Sequence, residues 1–224
     1  MNPHLTEIAY ILDRSGSMQP MQEPAVAAFN DFIKSQLDVP GDARLSLIQF
    51  DDAYEVPVAA KPIQDVHQLT AATYTPRGST ALLDAIGRTI KETDRRLESL
   101  PPTEQPAKVI FAIFTDGQEN ASTQYTAKHI SDLIALYRKQ KGWEFLFLAA
   151  NQDAIATASQ MQMDVHLSAN VQFSASGVKS TGRALSRKVN AMRRLVVNEN
   201  DAEALAEQAL SMDDILRQEE AKEE

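Results

Sequence analysis

Short, unbroken apolar runs alternate with amphipathic stretches over most of this chain. Ile8 to Leu12 is one such run, closed by Asp13-Arg14-Ser15-Gly16-Ser17, and it reads as a buried central strand that ends in a tight turn. Val26, Phe29, Ile33 and Leu37 then fall on one helical stripe, which Pro40-Gly41 ends. Leu45 to Phe50 predicts a second strand and Tyr54 to Ala59 an antiparallel edge strand, where Pro57 is tolerated because an edge leaves a donor unused. Leu82, Ile86, Ile90 and Leu97 give the next helix its apolar face, and Pro101 to Pro106 forms a surface loop before a strand at 108–114. Ile130, Leu133, Ile134 and Tyr137 mark another helix, and Trp143 to Ala149 another buried strand. Val165 to Leu167 reads as a short last strand after a helix near 153–161.

Two amphipathic patterns close the chain: Leu185, Val189, Met192 and Val196 on a basic helix, then Leu205, Ala209, Met212 and Leu216 on an acidic one. The alternation of strand and helix predicts the α/β class, a doubly wound, mostly parallel sheet with one antiparallel edge strand and helices on both faces. The expected division is a main domain at 1–198 and an acidic C-terminal helix and tail at 199–224, with Glu219 to Glu224 frayed. No internal repeat is present.

Composition narrows the chemistry. The 224 residues are 43% hydrophobic, enough for one sizeable core. The absence of Cys excludes disulfides, zinc–thiolate sites and a thiol nucleophile. Met1-Asn2-Pro3-His4 lacks the charge and apolar core of a signal peptide, and no apolar run approaches the ~18 residues of a membrane span; the expectation is a cytoplasmic protein without a membrane partner. The formal charge of -9 is concentrated at one end. Glu199 to Glu224 holds ten acidic and two basic residues, whereas Ser168 to Asn198 holds six basic and no acidic ones, so the two segments should attract each other or recruit separate partners.

The oxygen-bearing residues cluster where strands are expected to end. Asp13, Ser15 and Ser17 follow the first strand; Ser79 and Thr80 follow Gly78 where a helix begins; Asp116 and Gly117 follow the strand that ends near Phe114. Carboxylate and hydroxyl oxygens suit a hard divalent cation. The carboxyl ends of parallel strands form the usual binding crevice, which lets Asp13, Thr80 and Asp116 meet. Turn and cap chemistry accounts for any one of these motifs alone; three in order argue against that bland reading. Arg14 and Met18 read as an exposed charge and a packing residue. Asp51, Asp52, Glu119 and Asn120 read either as tuning groups or as turn residues.

Asp-x-Ser-x-Ser at 13–17, Gly-Ser-Thr at 78–80 followed by Ala-Leu-Leu-Asp-Ala-Ile, and Phe-Thr-Asp-Gly at 114–117 together resemble the metal-ion-dependent adhesion site of the von Willebrand factor A (vWA) family. The resemblance spans roughly residues 4 to 170 and is to the stand-alone bacterial or phage type. It implies a vWA fold, Rossmann-like, with a C-terminal helical extension. It also implies metal ligation by Ser15, Ser17 and Thr80, with Asp13 and Asp116 acting mainly through water. The implied cofactor is Mg²⁺, with Mn²⁺ or Ca²⁺ as alternatives. The implied partner is a protein that supplies an Asp or Glu side chain to the metal, in an intracellular scaffold or adaptor linked to ATPases. An acidic side chain between Asp201 and Glu224 is a candidate occupant of the metal site, in the same chain or in a neighbour; a helix covering an apolar surface is the simpler role.

Other classes fare worse. A metal-dependent phosphatase or phosphotransferase would use Asp13 as nucleophile, but the Asp-x-Asp of haloacid-dehalogenase-like enzymes is Asp13-Arg14-Ser15 here. His4, His67, His129 and His166 are scattered, and no Walker-type phosphate loop exists. The reading is therefore a binding module and not an enzyme. Lys179, Arg183, Arg187, Lys188, Arg193 and Arg194 form a basic segment without interleaved aromatics, and neutralisation by the acidic segment is favoured over a nucleic-acid partner.

Overall fold

A computed structural model describes residues 1–150 and 153–222. The strand β1 (Asn2–Asp13) is buried without interruption from Leu5 to Asp13, as a strand covered on both faces must be. It is followed by α1 (Gln22–Leu37), β2 (Asp42–Phe50) and β3 (Tyr54–Pro62). Then come α2 (Leu82–Glu98), β4 (Pro106–Thr115), α3 (Ala127–Lys141), β5 (Glu144–Ala150), α4 (Ala154–Gln160) and β6 (Ser168–Val171).

The sheet order is β3-β2-β1-β4-β5-β6. All pairings are parallel except β2 with β3, which is the antiparallel edge expected around Pro57. The chain runs outward from β1 to β3 and then crosses back to β4 through α2, so strand order reverses between β1 and β4. That reversal opens a crevice beyond the carboxyl ends of these two strands. Alternation along β1 divides the core: Ile8, Tyr10 and Leu12 pack with α1, and Ala9 and Ile11 pack with α2, α3 and α4. Tyr10 meets Phe29 and Phe32 edge-on at 5.2 and 5.3 Å, while Phe111 stacks on Phe145 at 4.8 Å.

The C-terminal part adds α5 (Ala175–Val197), α6 (Ala202–Ala209) and α7 (Met212–Glu220). α5 lies against α1 and the sheet, and Met212, Ile215 and Leu216 join the same apolar cluster as Tyr10 and Phe29. The acidic segment thus folds back on the basic helix. Arg187 pairs with Glu207 and Glu219, each at 2.7 Å, Arg183 with Glu219 at 3.1 Å, and Arg194 with Asp201 and Glu203 at 2.9 and 2.8 Å. Two other cations of α5 are buried and serve as helix caps. Lys188 donates to the carbonyls of Gln208 and Leu210 at the end of α6, and Arg193 to those of Gln36, Val39 and Gly41 at the end of α1. The charges that suggested nucleic acid are, apart from exposed Lys179, used inside the molecule.

Several local expectations need correction. Val165–Leu167 is a 3₁₀ turn, because Asp164 accepts a bond from the His166 amide; the last strand begins one residue later, where Ser168 pairs with Phe147. Leu37 is 51% exposed, and α1 instead buries Phe29, Phe32, Ile33 and Gln36. The acidic helix is two helices, interrupted at Leu210-Ser211, where Ser211 and Asp214 form a reciprocal cap. That break leaves Leu205 exposed and turns Ile215 inward. In the expected frayed end, Glu219 is buried among arginines, and Glu223 and Glu224 lie outside the described residues. Among the described residues no helix is long and apolar enough to cross a membrane.

Candidate metal centre

Asp13 closes β1 at the crevice and is fully buried. One of its oxygens accepts the Ser15 amide at 2.7 Å and the other the Thr115 hydroxyl at 2.5 Å. The Tyr74 hydroxyl, from the segment that precedes α2, donates to the Asp13 carbonyl at 2.5 Å. Burial pushes the Asp13 carboxyl up to about 6; the bonds from Thr115 and Ser15 oppose that push and the nearby charge of Asp116 adds to it.

The chain of oxygens continues from there. Ser15 Oγ lies 3.0 Å from Ser17 Oγ, and the Ser17 hydroxyl donates to Asp116 Oδ1 at 2.9 Å. Asp116 follows directly on β4, is 1% exposed, and has its carboxyl raised by burial against the pull of the Ser17 bond. Ser17, in the middle of the row, is exposed, while Ser15 and Asp116 on either side of it are buried.

Thr80 enters from the third loop. Its amide donates to Asn120 Oδ1 at 2.9 Å, and its carbonyl accepts the amides of Asn120 and Ala121 at 3.0 and 3.2 Å. A methyl group placed on Gly117 would lie 3.0 Å from Thr80 Oγ1 and 3.7 Å from Ser17 Oγ. The two hydroxyls therefore flank the same small space beside Gly117, which a larger residue would fill. Gly78 allows the loop its shape: its φ of +67° is left-handed, and a Cβ there would lie 1.9 Å from Asp52 Oδ1. Its carbonyl accepts the Gly16 amide at 3.1 Å, which joins the first and second loops.

All five residues singled out in the sequence, Asp13, Ser15, Ser17, Thr80 and Asp116, converge at this point. Of the nearby acidic groups, Glu119 turns away to accept the Leu83 amide at 2.9 Å at the start of α2, together with the amides of Ala121 and Ser122. Asp84 binds the amides of Thr123, Gln124 and Tyr125, so loop 117–126 and α2 cap one another. Tyr74 was not foreseen, and Thr115, part of the third motif, was given no role; its contact with Asp13 exists only because the sheet sets the two strand ends side by side. Arg14 is a correction: it is 4% exposed and ion-paired to Asp51 at 2.9 Å and Glu55 at 2.7 Å.

The donors are oxygens only, and three of the five are neutral hydroxyls. Among the described residues no group of three His, Asp or Glu side chains could hold a metal unaided, so a cation here must draw on the serines and threonine. The spacing suits one. Adjacent oxygens around an octahedral ion with bonds of about 2.0–2.1 Å stand about 2.8–3.0 Å apart, and the Ser15–Ser17 distance is 3.0 Å.

Residues 8–118, which contain all five positions, match the family model of the von Willebrand factor type A domain. No curated protein matches the chain by sequence. Among solved structures it is similar to proximal thread matrix protein 1 from the mussel byssus with a zinc-occupied MIDAS motif (TM-score 0.58, 16% identity, covering 81% of this chain and 47% of that one). It is also similar to the vWF domain of the type V pili tip protein Mfa5 from Porphyromonas gingivalis (0.57, 11%, 83% and 95%). A third is the manganese-loaded TRAP protein of Plasmodium vivax (0.52, 15%, 77% and 70%). The chain thus spans less than half the length of the mussel protein. At such identities these likenesses establish the fold, and the family model agrees with it. On both grounds, the chain has a von Willebrand factor type A-like fold, within which residues 8–118 match that family's model.

Proposed function

We propose that the centre binds a divalent cation, Mg²⁺ in the first instance, through the hydroxyls of Ser15, Ser17 and Thr80, with Asp13 and Asp116 held one water away, and that the ion binds an Asp or Glu side chain of a protein partner. The observation that carries this is the convergence of three hydroxyls and two buried carboxylates, from three loops, with Ser15 and Ser17 at octahedral-edge spacing. A bound ion would supply positive charge that neutral hydroxyls leave largely unquenched, and so an attachment point for an anionic group. This chain's part is to orient the hydroxyls and to keep both Asp13 oxygens occupied by Ser15 and Thr115. The metal-occupied sites named for the mussel and Plasmodium structures support the reading. The role is that of a scaffold or adaptor in an intracellular assembly, by analogy one that includes an ATPase.

A phosphotransferase using Asp13 is disfavoured by the same geometry. A nucleophilic carboxylate needs an oxygen open to substrate, and Asp13 is fully buried with both oxygens bonded. Titration calorimetry with Mg²⁺ and Mn²⁺ tests the metal step: wild type binds, and Asp13→Ala loses about 10–100-fold in affinity, the usual effect of removing an outer-shell group. Capture of partners in Mg²⁺ but not in EDTA tests the second step. Wild-type protein that takes up neither ion overturns the proposal.

A further inference from the structure

Of the two positions inside the first motif that bear no ligand oxygen, Arg14 and Gly16, Arg14 carries a side chain, and it runs to the β2–β3 turn. Its Nε donates to Asp51 Oδ2 at 2.9 Å, and its two terminal nitrogens donate to the two oxygens of Glu55 at 2.7 Å each. Arg77, immediately before Gly78, repeats the arrangement from the second loop, with Nε on Asp51 Oδ2 at 3.0 Å and Nη2 on Glu55 Oε1 at 2.8 Å. The main chain takes the same route. The Arg14 amide bonds the Phe50 carbonyl at 2.8 Å, the Arg77 amide the Arg14 carbonyl at 2.7 Å, and the Ala81 amide the Asp51 carbonyl at 2.9 Å. One acidic pair on the sheet's edge hairpin, which contributes none of the five site oxygens, therefore ties together the loops that carry Ser15, Ser17 and Thr80.

We propose that this four-charge clamp of Arg14, Arg77, Asp51 and Glu55 sets the cation selectivity of the centre, by holding the two hydroxyl loops rigidly around the small space they share. The inference rests on the reading of the site as a cation centre. Mg²⁺ requires near-ideal octahedral geometry, whereas Ca²⁺ accepts six to eight oxygens at about 2.3–2.6 Å in flexible arrangements, with edges of about 3.3–3.7 Å or shorter at higher coordination. The Ser17 hydroxyl of the first loop and the Thr80 hydroxyl of the second border one small space beside Gly117, and within the first loop Ser15 and Ser17 stand 3.0 Å apart. Rigid loops around such a space favour the smaller ion, and slack loops open to the larger one. Bidentate Arg–carboxylate bonding is the side-chain contact best suited to such rigidity.

The test is the ratio of Mg²⁺ to Ca²⁺ dissociation constants, measured by calorimetry on the full chain, for wild type, Glu55→Ala, Glu55→Gln and the control Glu92→Ala. Glu55 has a side chain 51% exposed, and its removal leaves Arg14 on Asp51, so the fold should survive. Glu55→Ala is expected to weaken Mg²⁺ about tenfold and Ca²⁺ less than threefold. Glu55→Gln should fall between, and Glu92→Ala should leave the ratio unchanged. Loss of a nearby negative charge would weaken two divalent ions alike, so the ratio reports geometry. Thermal unfolding in EDTA establishes that each variant is folded. If Glu55→Ala fails that control, Arg77→Gln, with its side chain 57% exposed, removes the other arm and is expected to shift the ratio in the same direction. A wild-type protein that binds both ions, with an unchanged ratio in the folded clamp variants, overturns the clamp alone. Wild-type protein that binds neither overturns the centre itself.

Discussion

Asp13 and Glu219 are both buried carboxylates, and the molecule treats them in opposite ways. At the crevice, Asp13 has a hydroxyl and an amide for partners, and burial lifts its carboxyl to about 6. On α7, burial also pushes Glu219 up, but bonds from Lys222 and Arg187 outweigh it and leave the carboxyl below its usual range. Burial with a built-in countercharge holds helices together. Burial without one costs stability in the bare chain, and such groups concentrate at functional sites.

The largest effect expected from breaking this comparison comes from the packed region. Leu216→Ala removes a side chain 2% exposed in the cluster that α7 shares with α1 and β1. It should cost about 2–5 kcal/mol in denaturant unfolding while leaving cation affinity unchanged; a parallel loss of affinity would show that the two regions are not independent.

Next comes pH. The folded pKa of Asp13 lies above its unfolded value of 3.8, so the folded state binds this proton more tightly. The resulting stability is fully present below about pH 4 and is lost as pH rises through 6, amounting to about 3 kcal/mol. Unfolding in EDTA should therefore show this loss across pH 4–7, and saturating Mg²⁺ should recover it. Glu7, buried on β1 beside Arg96 and pushed up to about 7 by burial, contributes a loss of the same sign that Mg²⁺ cannot recover. Glu7→Gln should remove only that second part, and persistence of the whole slope would count against the assignment.

Glu219→Gln tests the other side of the comparison. Arg183 and Arg187 are only partly buried, so their freed charges regain solvent, and the expected cost is about 1–2 kcal/mol. Mg²⁺ should not restore it. The smallest effect belongs to Leu205→Ser: the side chain is 48% exposed, and the unfolding free energy should change by less than about 0.5 kcal/mol.

Much of this fold was legible in the chain itself. β1, β4 and β5 stand out because a parallel strand covered on both faces must be apolar throughout, and α2 because Leu82, Ile86, Ile90 and Leu97 all fall on one buried stripe. The five oxygen-bearing residues that meet at the crevice were likewise legible, since each motif sits next to a recognisable strand end or helix start. Leu37 misled because a stripe drawn at every fourth residue drifts around a 3.6-residue helix, and by the fourth turn it had rotated off the face that holds Phe32. The acidic segment misled because one continuous stripe can be drawn through a cap: Ser211 and Asp214 interrupt the helix and rotate the residues beyond them. Arg14 misled because a charge beside a glycine turn is usually solvated, and nothing local reports that Asp51 and Glu55 lie within reach.

The sequence by itself determined the alternation of strands and helices, the edge position of the strand with Pro57, and which oxygens stand at the ends of β1 and β4. These features arise from interactions among residues a few positions apart, which periodicity records. Only the tertiary structure decided which charges meet. The Arg14–Asp51, Arg14–Glu55 and Arg187–Glu219 pairs are separated by 37, 41 and 32 residues, and both electrostatic attraction and hydrogen bonding depend on distance in space. That distance is set by the order in which the sheet lays its strands side by side, and no pattern within one segment contains it.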